Sequence, residues 1–340
     1  MAGRLGRPTC KFGKQAGRGT RTRLASLALA FATLTTAEAV AQIYRAPRTA
    51  TGQPDLEGIW TNASLTRLER SPAFAAVDVP EAQARAFEQG HSGQPPIRDD
   101  VGQADTEWWE LGETLARIDG QARASWVVEP TDGLLPLTEA GIRGRASLPS
   151  GDDGPESRWP TERCLGAIGS PAGPPMLNGP YNSNYQIIQT PEHVAIVVEM
   201  NHDVRIIRLA DKRIPPASVR YWMGVSIGRW EGETLVVETT NMHPAEAARG
   251  GPAVGFLYTS QAATVVERFT RIGPREIRYE FTALDPQTFS RPWRAEMVFL
   301  PSKGPLYEFA CHEGNYSMSG VLAGARRQEA DARAAKPALR

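Results

Sequence analysis

From about residue 185 to residue 311 the chain alternates apolar and polar positions with a period of two. Ile277, Tyr279 and Phe281 interleave with Arg278, Glu280 and Thr282, the signature of a half-buried strand. Segments 234–240, 264–271, 295–300 and 306–311 repeat the pattern with Gly or Pro between them, and residues 230–234 (Trp-Glu-Gly-Glu-Thr) read as a tight hairpin. Counted alternately, Val194, Ile196, Val198, Met200, His202, Val204 and Ile206 share one strand face, with Glu199, Asp203 and Arg205 on the other. A second reading of the same residues makes Asn201-His202-Asp203 a turn with His202 in solvent, and the pattern does not choose between them. Strand after strand without helical crossovers predicts a mainly β fold with a few peripheral helices. An antiparallel barrel or sandwich that removes its edges fits this, a lipocalin-like barrel among the candidates.

The rest of the chain arranges itself around that run. Residues 42–55 read as a linker and 56–335 as a single β-rich domain. Within it, 56–160 is a mixed part with helical patterns at 80–90 and 106–118, and 161–183 is a Gly/Pro-rich loop. Antiparallel strands are expected over 185–318 and a C-terminal helix over 321–335. Gly58-Ile59-Trp60 and Gly228-Arg229-Trp230 place a tryptophan after glycine, as at the closed end of lipocalin-like barrels, although the short motif serves a plain core tryptophan equally well.

Composition changes the picture at the N-terminus. Residues 1–23 carry seven Lys and Arg and no acid; an apolar run over 24–34 and Ala39-Val40-Ala41 follow, the three parts of a secretory signal peptide over 1–41. An exported chain, periplasmic or secreted, is the expectation. The whole chain has 38 basic and 38 acidic residues; removing seven basic residues and Glu38 leaves 31 against 37, a net charge of −6. Such a balance offers no basic surplus for nucleic acid, and no run after Gln42 is apolar enough to span a membrane. Cys10 leaves with the leader. Cys164 and Cys311 remain as an even pair in an oxidising compartment, where a disulfide is the default against two free thiols.

Candidate chemistry falls in three places. His202, flanked by Asp203 and Arg205, has the makings of a general base if its strand face is the buried one. Glu267 shares a face with Val265 and Phe269, so burial would raise its pKa. His312, Glu313 and Tyr316 follow Cys311 at the end of an expected strand, where a barrel mouth would bring them to His202. The expectation is that His202, Glu267 and His312 enter one cavity together with Arg205 or Tyr316; a histidine beside a disulfide also serves as a rigid structural group. His202, His312 and Glu313 are zinc-binding residue types, but their spacing does not require a metal, and no cofactor is expected.

Short stretches spread over residues 54–325 resemble, as a set, a large family of exported bacterial β-rich proteins. They are Pro54-Asp55-Leu56…Gly58…Trp60, Glu162-Arg163-Cys164, Gly173-Pro174-Pro175-Met176, Glu199-Met200…His202-Asp203…Arg205, and Trp230-Glu231-Gly232…Thr234-Leu235-Val236-Val237. Val266-Glu267-Arg268-Phe269, Arg291-Pro292-Trp293 and Cys311-His312-Glu313-Gly314-Asn315 complete the set. The resemblance implies export and one β-rich unit, and carries no reaction with it. Relatives often have His where this chain has Thr264, so no role of that side chain transfers. Two functions follow from the residues. One is an exported enzyme doing acid–base chemistry (hydrolysis, elimination or isomerisation) on a small, partly apolar molecule in a β-barrel pocket. The other is a non-catalytic, lipocalin-like small-molecule binder of the periplasm, its pocket drawn from Trp222, Phe256, Tyr258, Phe289 and Trp293.

Overall fold

The computed structural model describes residues 44–91, 110–146, 151, 153–166, 173–251 and 255–335. The leader expected over 1–41 lies outside them, as do residues 106–109 of the expected second helix and 167–172 of the Gly/Pro-rich loop.

Fifteen strands are present among the described residues. Five precede the long alternating run: β1 Gly58–Thr61, β2 Asp78–Val79, β3 Arg117–Ile118, β4 Gln121–Arg123 and β5 Val127–Glu129. Five follow the Gly/Pro-rich stretch: β6 Asn184–Gln189, β7 His193–Val198, β8 Val204–Arg208, β9 Val225–Glu231 and β10 Thr234–Thr240. The last five are β11 Ala248–Gly251, β12 Gly255–Tyr258, β13 Thr264–Gly273, β14 Glu276–Leu284 and β15 Trp293–Pro301. Nine of them, in the order β1-β6-β7-β8-β9-β10-β13-β14-β15, close into a barrel through the pairing of β1 with β15, and β5 adds to the far end of β15. The expected mainly β, barrel-forming class is what the chain adopts.

Inward positions alternate along every barrel strand, and the inside is solid. Tyr185 stacks on Phe299 at 5.1 Å, Phe269 packs tilted against Tyr279 at 4.8 Å, and Phe281 meets Trp293 edge-on at 5.3 Å. These rings belong to one continuous buried cluster with Ile196, Val198, Leu235 and Val265, so the interior is a packed core and no lipocalin-type lumen. At one end the segment before β1 folds across the strands: Trp60 donates to the Leu56 carbonyl (3.0 Å), and Arg271 lies over the Trp60 ring while donating to the Asp55 carbonyl (2.9 Å). Gly58 sits at φ +137° with the Trp60 indole 3.2 Å from where a Cβ would stand, a conformation and a space only glycine fits. From the other end the Gly/Pro-rich stretch dips in, placing the Met176 amide 3.0 Å from the Tyr279 hydroxyl.

One seam is different. Every barrel pairing is antiparallel except β8 with β9, which run parallel and share only two register pairs, Ile207–Ser226 and Arg208–Ile227. Parallel neighbours cannot be joined by a hairpin. Residues 209–224 therefore travel back along the outside of the barrel from the end of β8 to the start of β9, pinned by Asn241, whose side-chain amide donates to the carbonyls of Pro215, Pro216 and Val219.

Outside the barrel a small sheet, β2-β4-β3, and helix α1 (Glu81–His91) enclose a second core around Phe74, Ala84, Leu115 and Ala124. Helix α2 (Glu139–Ala146) follows β5. The expected strand over 306–311 does not form. Residues 302–310 run without strand pairing into a short turn of helix, α3 (Cys311–Gly314), and then α4 (Ser317–Ala335). Likewise 110–116 is not helical. Cys164 and Cys311 form the disulfide, with Cα atoms 5.8 Å apart across a sequence separation of 147. Closing a loop of that length stabilises the fold by about 5 kcal/mol in the chain-entropy view, and such a bond is compatible with an oxidising compartment. Asn315 reinforces it by donating to the Glu162 carbonyl at 2.8 Å.

Candidate functional site

The structure divides the residues that the sequence grouped together. Between β7 and β8 the chain turns through Asn201 (φ +61°) and His202 (φ +42°). Of the two readings of Val194–Ile206, the turn at Asn201-His202-Asp203 is the one the chain adopts and the continuous strand is not formed: β7 and β8 are a hairpin, and His202 stands exposed at its tip. The turn also resets the alternation: Arg205 pairs with Ile196 and points inward, while Val204 and Ile206 point out. His312 and Glu313 are exposed on α3, and Tyr316 is 81% exposed. The shared cavity of His202, Glu267 and His312 is therefore not formed. Of that set only Glu267 and Arg205 meet, inside the barrel. Asp203 is half-buried at the turn; burial raises its pKa, partly offset by a hydrogen bond from Asn201 and the nearby His202.

Arg205 and Glu267 anchor a closed network. The Arg205 guanidinium grips both Glu267 carboxylate oxygens, at 2.8 Å from Nη1 to Oε1 and through Nη2 to Oε2. Its Nε and Nη2 each donate to Ser226 Oγ at 3.1 Å, and Nη2 donates to Thr239 Oγ1 at 2.9 Å. The Tyr279 hydroxyl donates to Glu267 Oε1 at 2.7 Å and accepts from the Met176 amide. All five side chains are buried. Burial opposes the charge on Arg205, but the facing Glu267 overcomes this and leaves the guanidinium above its ordinary value. Burial, reinforced by the neighbouring carboxylate, holds the Tyr279 hydroxyl well above the usual tyrosine range. Arg205, Ser226, Thr239, Glu267 and Tyr279 come from β8, β9, β10, β13 and β14, so the network clasps the barrel across its parallel seam, where β8 and β9 share only two register pairs. A buried ion pair adds little net stability over an apolar replacement, but removing one partner strands the other charge in the core.

Ser226, Thr239 and Tyr279 were not singled out from the sequence. Tyr279 was legible as an inward residue between Ile277 and Phe281, and a buried phenol needs a partner. Ser226 and Thr239 give no signal of their own. The aromatic side chains assigned to a binding pocket also scatter: Phe289 and Trp293 pack together in the core at 5.5 Å, Phe256 lies 6.3 Å from Trp159, and Trp222 stacks on His243 at 4.4 Å near the surface.

A groove of about 310 Å³ opens on the outside of the barrel, beneath the crossover of residues 209–224. Lys212 and Ile214 of the crossover form one wall; Ile227, Gly228 and Arg229 of β9 and Glu238 and Thr240 of β10 form the floor and the other wall. Lys212 Nζ donates to the Gly228 carbonyl at 2.7 Å, and Arg229 is engaged with Glu231 at 2.7–2.9 Å. Gly228 is itself required by the core: a Cβ there would stand 2.7 Å from Ile207 and 2.9 Å from Leu209. Exposed apolar side chains gather on this flank. On the outer faces of β6, β7 and β8, Ile188, Ala195 and Ile206 lie side by side in register, as do Val197 and Val204; Ile214, Val219, Tyr221 and Trp222 continue the surface along the crossover.

No metal-binding grouping of three or more His, Cys, Asp or Glu side chains occurs among the described residues, and no helix among them is long and apolar enough to cross a membrane. Comparison with models of known families, with curated proteins and with solved structures finds no match.

Proposed function

We propose that this chain is an exported, non-catalytic binding protein that holds a small, partly apolar molecule on the outside of its barrel. The observation that carries this reading is the groove under the crossover, whose 310 Å³ suits a small ligand and which adjoins a row of exposed Ile, Val, Tyr and Trp side chains. The titratable groups inside the barrel satisfy one another, and His202 and His312 stand in solvent, so neither set makes an acid–base pair around a free space. Purified protein lacking residues 1–41 should enhance the fluorescence of an anilinonaphthalene sulfonate dye in a saturable way. Ile227→Asp should abolish the enhancement in a variant that still unfolds in a single cooperative transition, at a lower temperature because the new carboxylate stands opposite Glu238. Saturable binding that survives Ile227→Asp would refute the assignment.

The acid–base enzyme keeps one observation in its favour, a carboxylate enclosed with a phenol 2.7 Å away. Substrate turnover abolished by Glu267→Gln, in a variant that remains folded, would favour it.

A further inference from the structure

We infer that the ligand of the groove is a zwitterion, an α-amino acid or short peptide with an apolar side chain. This rests on the binding reading above and specifies its ligand. The charges in the lining differ in whether they have a partner. Arg229 and Arg268 both bond to Glu231, the latter at 3.0 Å, so each guanidinium of this trio has a carboxylate partner and the three together carry one net positive charge. Lys212 makes one contact, to the Gly228 carbonyl, and no ion pair among the described residues. Glu238 is exposed and makes neither a hydrogen bond nor an ion pair among them. Lys212 and Glu238, opposite in sign and each without an ion-pair partner among the described residues, thus face one groove.

Their placement follows from the register. Glu238 pairs across the strands with Ile227, and the Lys212 ammonium sits on the carbonyl of the next residue, Gly228. The two charges are therefore one to two strand spacings apart, roughly 5–10 Å, and do not touch each other. A molecule with its own ammonium toward Glu238 and its own carboxylate toward Lys212 spans that interval. Between them Ile214 and Ile227 offer apolar surface for a side chain, and a volume of 310 Å³ accommodates one or two residues. A purely apolar ligand would leave both charges facing it and lose their solvation. An anion or a cation alone would meet one favourable and one repulsive partner.

Isothermal titration with L-leucine, L-leucyl-L-leucine, N-acetyl-L-leucine and L-leucinamide tests the inference. At least one of the two zwitterions should bind, and each blocked compound should bind about three- to fivefold more weakly than leucine or its dipeptide, the loss expected for one partly exposed ion pair. Glu238→Gln should erase the discrimination against N-acetyl-L-leucine and leave that against L-leucinamide; Lys212→Met should do the reverse. No binding of either zwitterion, or equal binding of the blocked compounds, overturns the inference. The dye experiment separates the two levels. Dye binding that depends on Ile227 without zwitterion binding overturns the ligand class alone, whereas loss of both overturns the groove as a binding site as well.

Discussion

The inside and the outside of the same β8–β10 wall treat charge in opposite ways. On the inner face Arg205 spends its donors on Glu267, Ser226 and Thr239, and Glu267 also takes the Tyr279 hydroxyl. On the outer face Glu238, one residue from Thr239 along β10, and Lys212 of the crossover that covers this wall look into a groove without forming an ion pair with each other. Burial explains the contrast. A charge taken out of water must be paired and hydrogen-bonded or it costs several kcal/mol, whereas a charge at a groove wall keeps its hydration and stays free for a ligand. Reactive residue types therefore mark scaffold on one side of this wall and opportunity on the other.

The sharpest way to break the comparison is to unbalance the interior. Arg205→Ala should destabilise the protein by about 3–5 kcal/mol, because Glu267 is left buried without its counter-charge. Urea unfolding would measure this. Arg205→Met combined with Glu267→Leu should recover most of the loss; a double variant as unstable as the single one would mean that packing, and not charge, dominates there.

A smaller effect is expected at Tyr279. Tyr279→Phe removes the donor to Glu267 and the acceptor for the Met176 amide, at a cost of about 1–3 kcal/mol. The pH dependence adds a signature. Burial raises the folded-state pKa of Tyr279, so its contribution is fully present below the unfolded value near 10 and is lost as pH rises toward the folded one. Tyr181, pushed by burial to about 12, acts in the same direction. Stability should thus be level in this respect below about pH 9 and fall above pH 10, by up to about 1.4 kcal/mol per pH unit for each such tyrosine. Tyr279→Phe should make the fall shallower. An unchanged slope in thermal melts between pH 9 and 12 would place the alkaline sensitivity elsewhere.

The smallest stability effects belong to the outer face. Glu238→Gln and Lys212→Met should each change unfolding free energy by no more than about 0.5 kcal/mol, while changing ligand preference. A large loss of stability from Glu238→Gln would show that the groove charges are structural after all, and the contrast between the two faces would disappear.

Several motifs noticed in the sequence find structural partners in one another. Glu162-Arg163-Cys164 meets Cys311-His312-Glu313-Gly314-Asn315 through the disulfide and the bond from Asn315 to the Glu162 carbonyl. Arg205 of one stretch closes on Glu267 of another, and Met176 of a third reaches Tyr279. Glu199, beside His202 in sequence, accepts from the Asn184 side chain at 2.6 Å and from the Tyr307 amide at 2.9 Å, tying 302–310 to the barrel mouth. These residue types looked like chemistry because buried polar networks and active sites draw on the same side chains.

By itself the sequence determined the mainly β class, most of the barrel strands and the inward-facing rows, because a period of two in apolar residues specifies a sheet with one buried face. It placed Glu267 on one face with Val265 and Phe269, the face that the barrel buries, and it marked Cys164 and Cys311 as the pair to be joined. Only the tertiary structure decided the partner of Glu267, because a turn through two positive-φ residues resets the strand face and no periodicity count sees it. The expected strand at 306–311 failed for a related reason: alternation there found no neighbouring edge, since β1 and β15 had already closed the barrel. The groove, too, exists only in three dimensions. Lys212 and Glu238 are 26 positions apart with nothing in the sequence to link them, and they face one groove because the parallel seam between β8 and β9 forces the intervening segment back across the outside of the barrel.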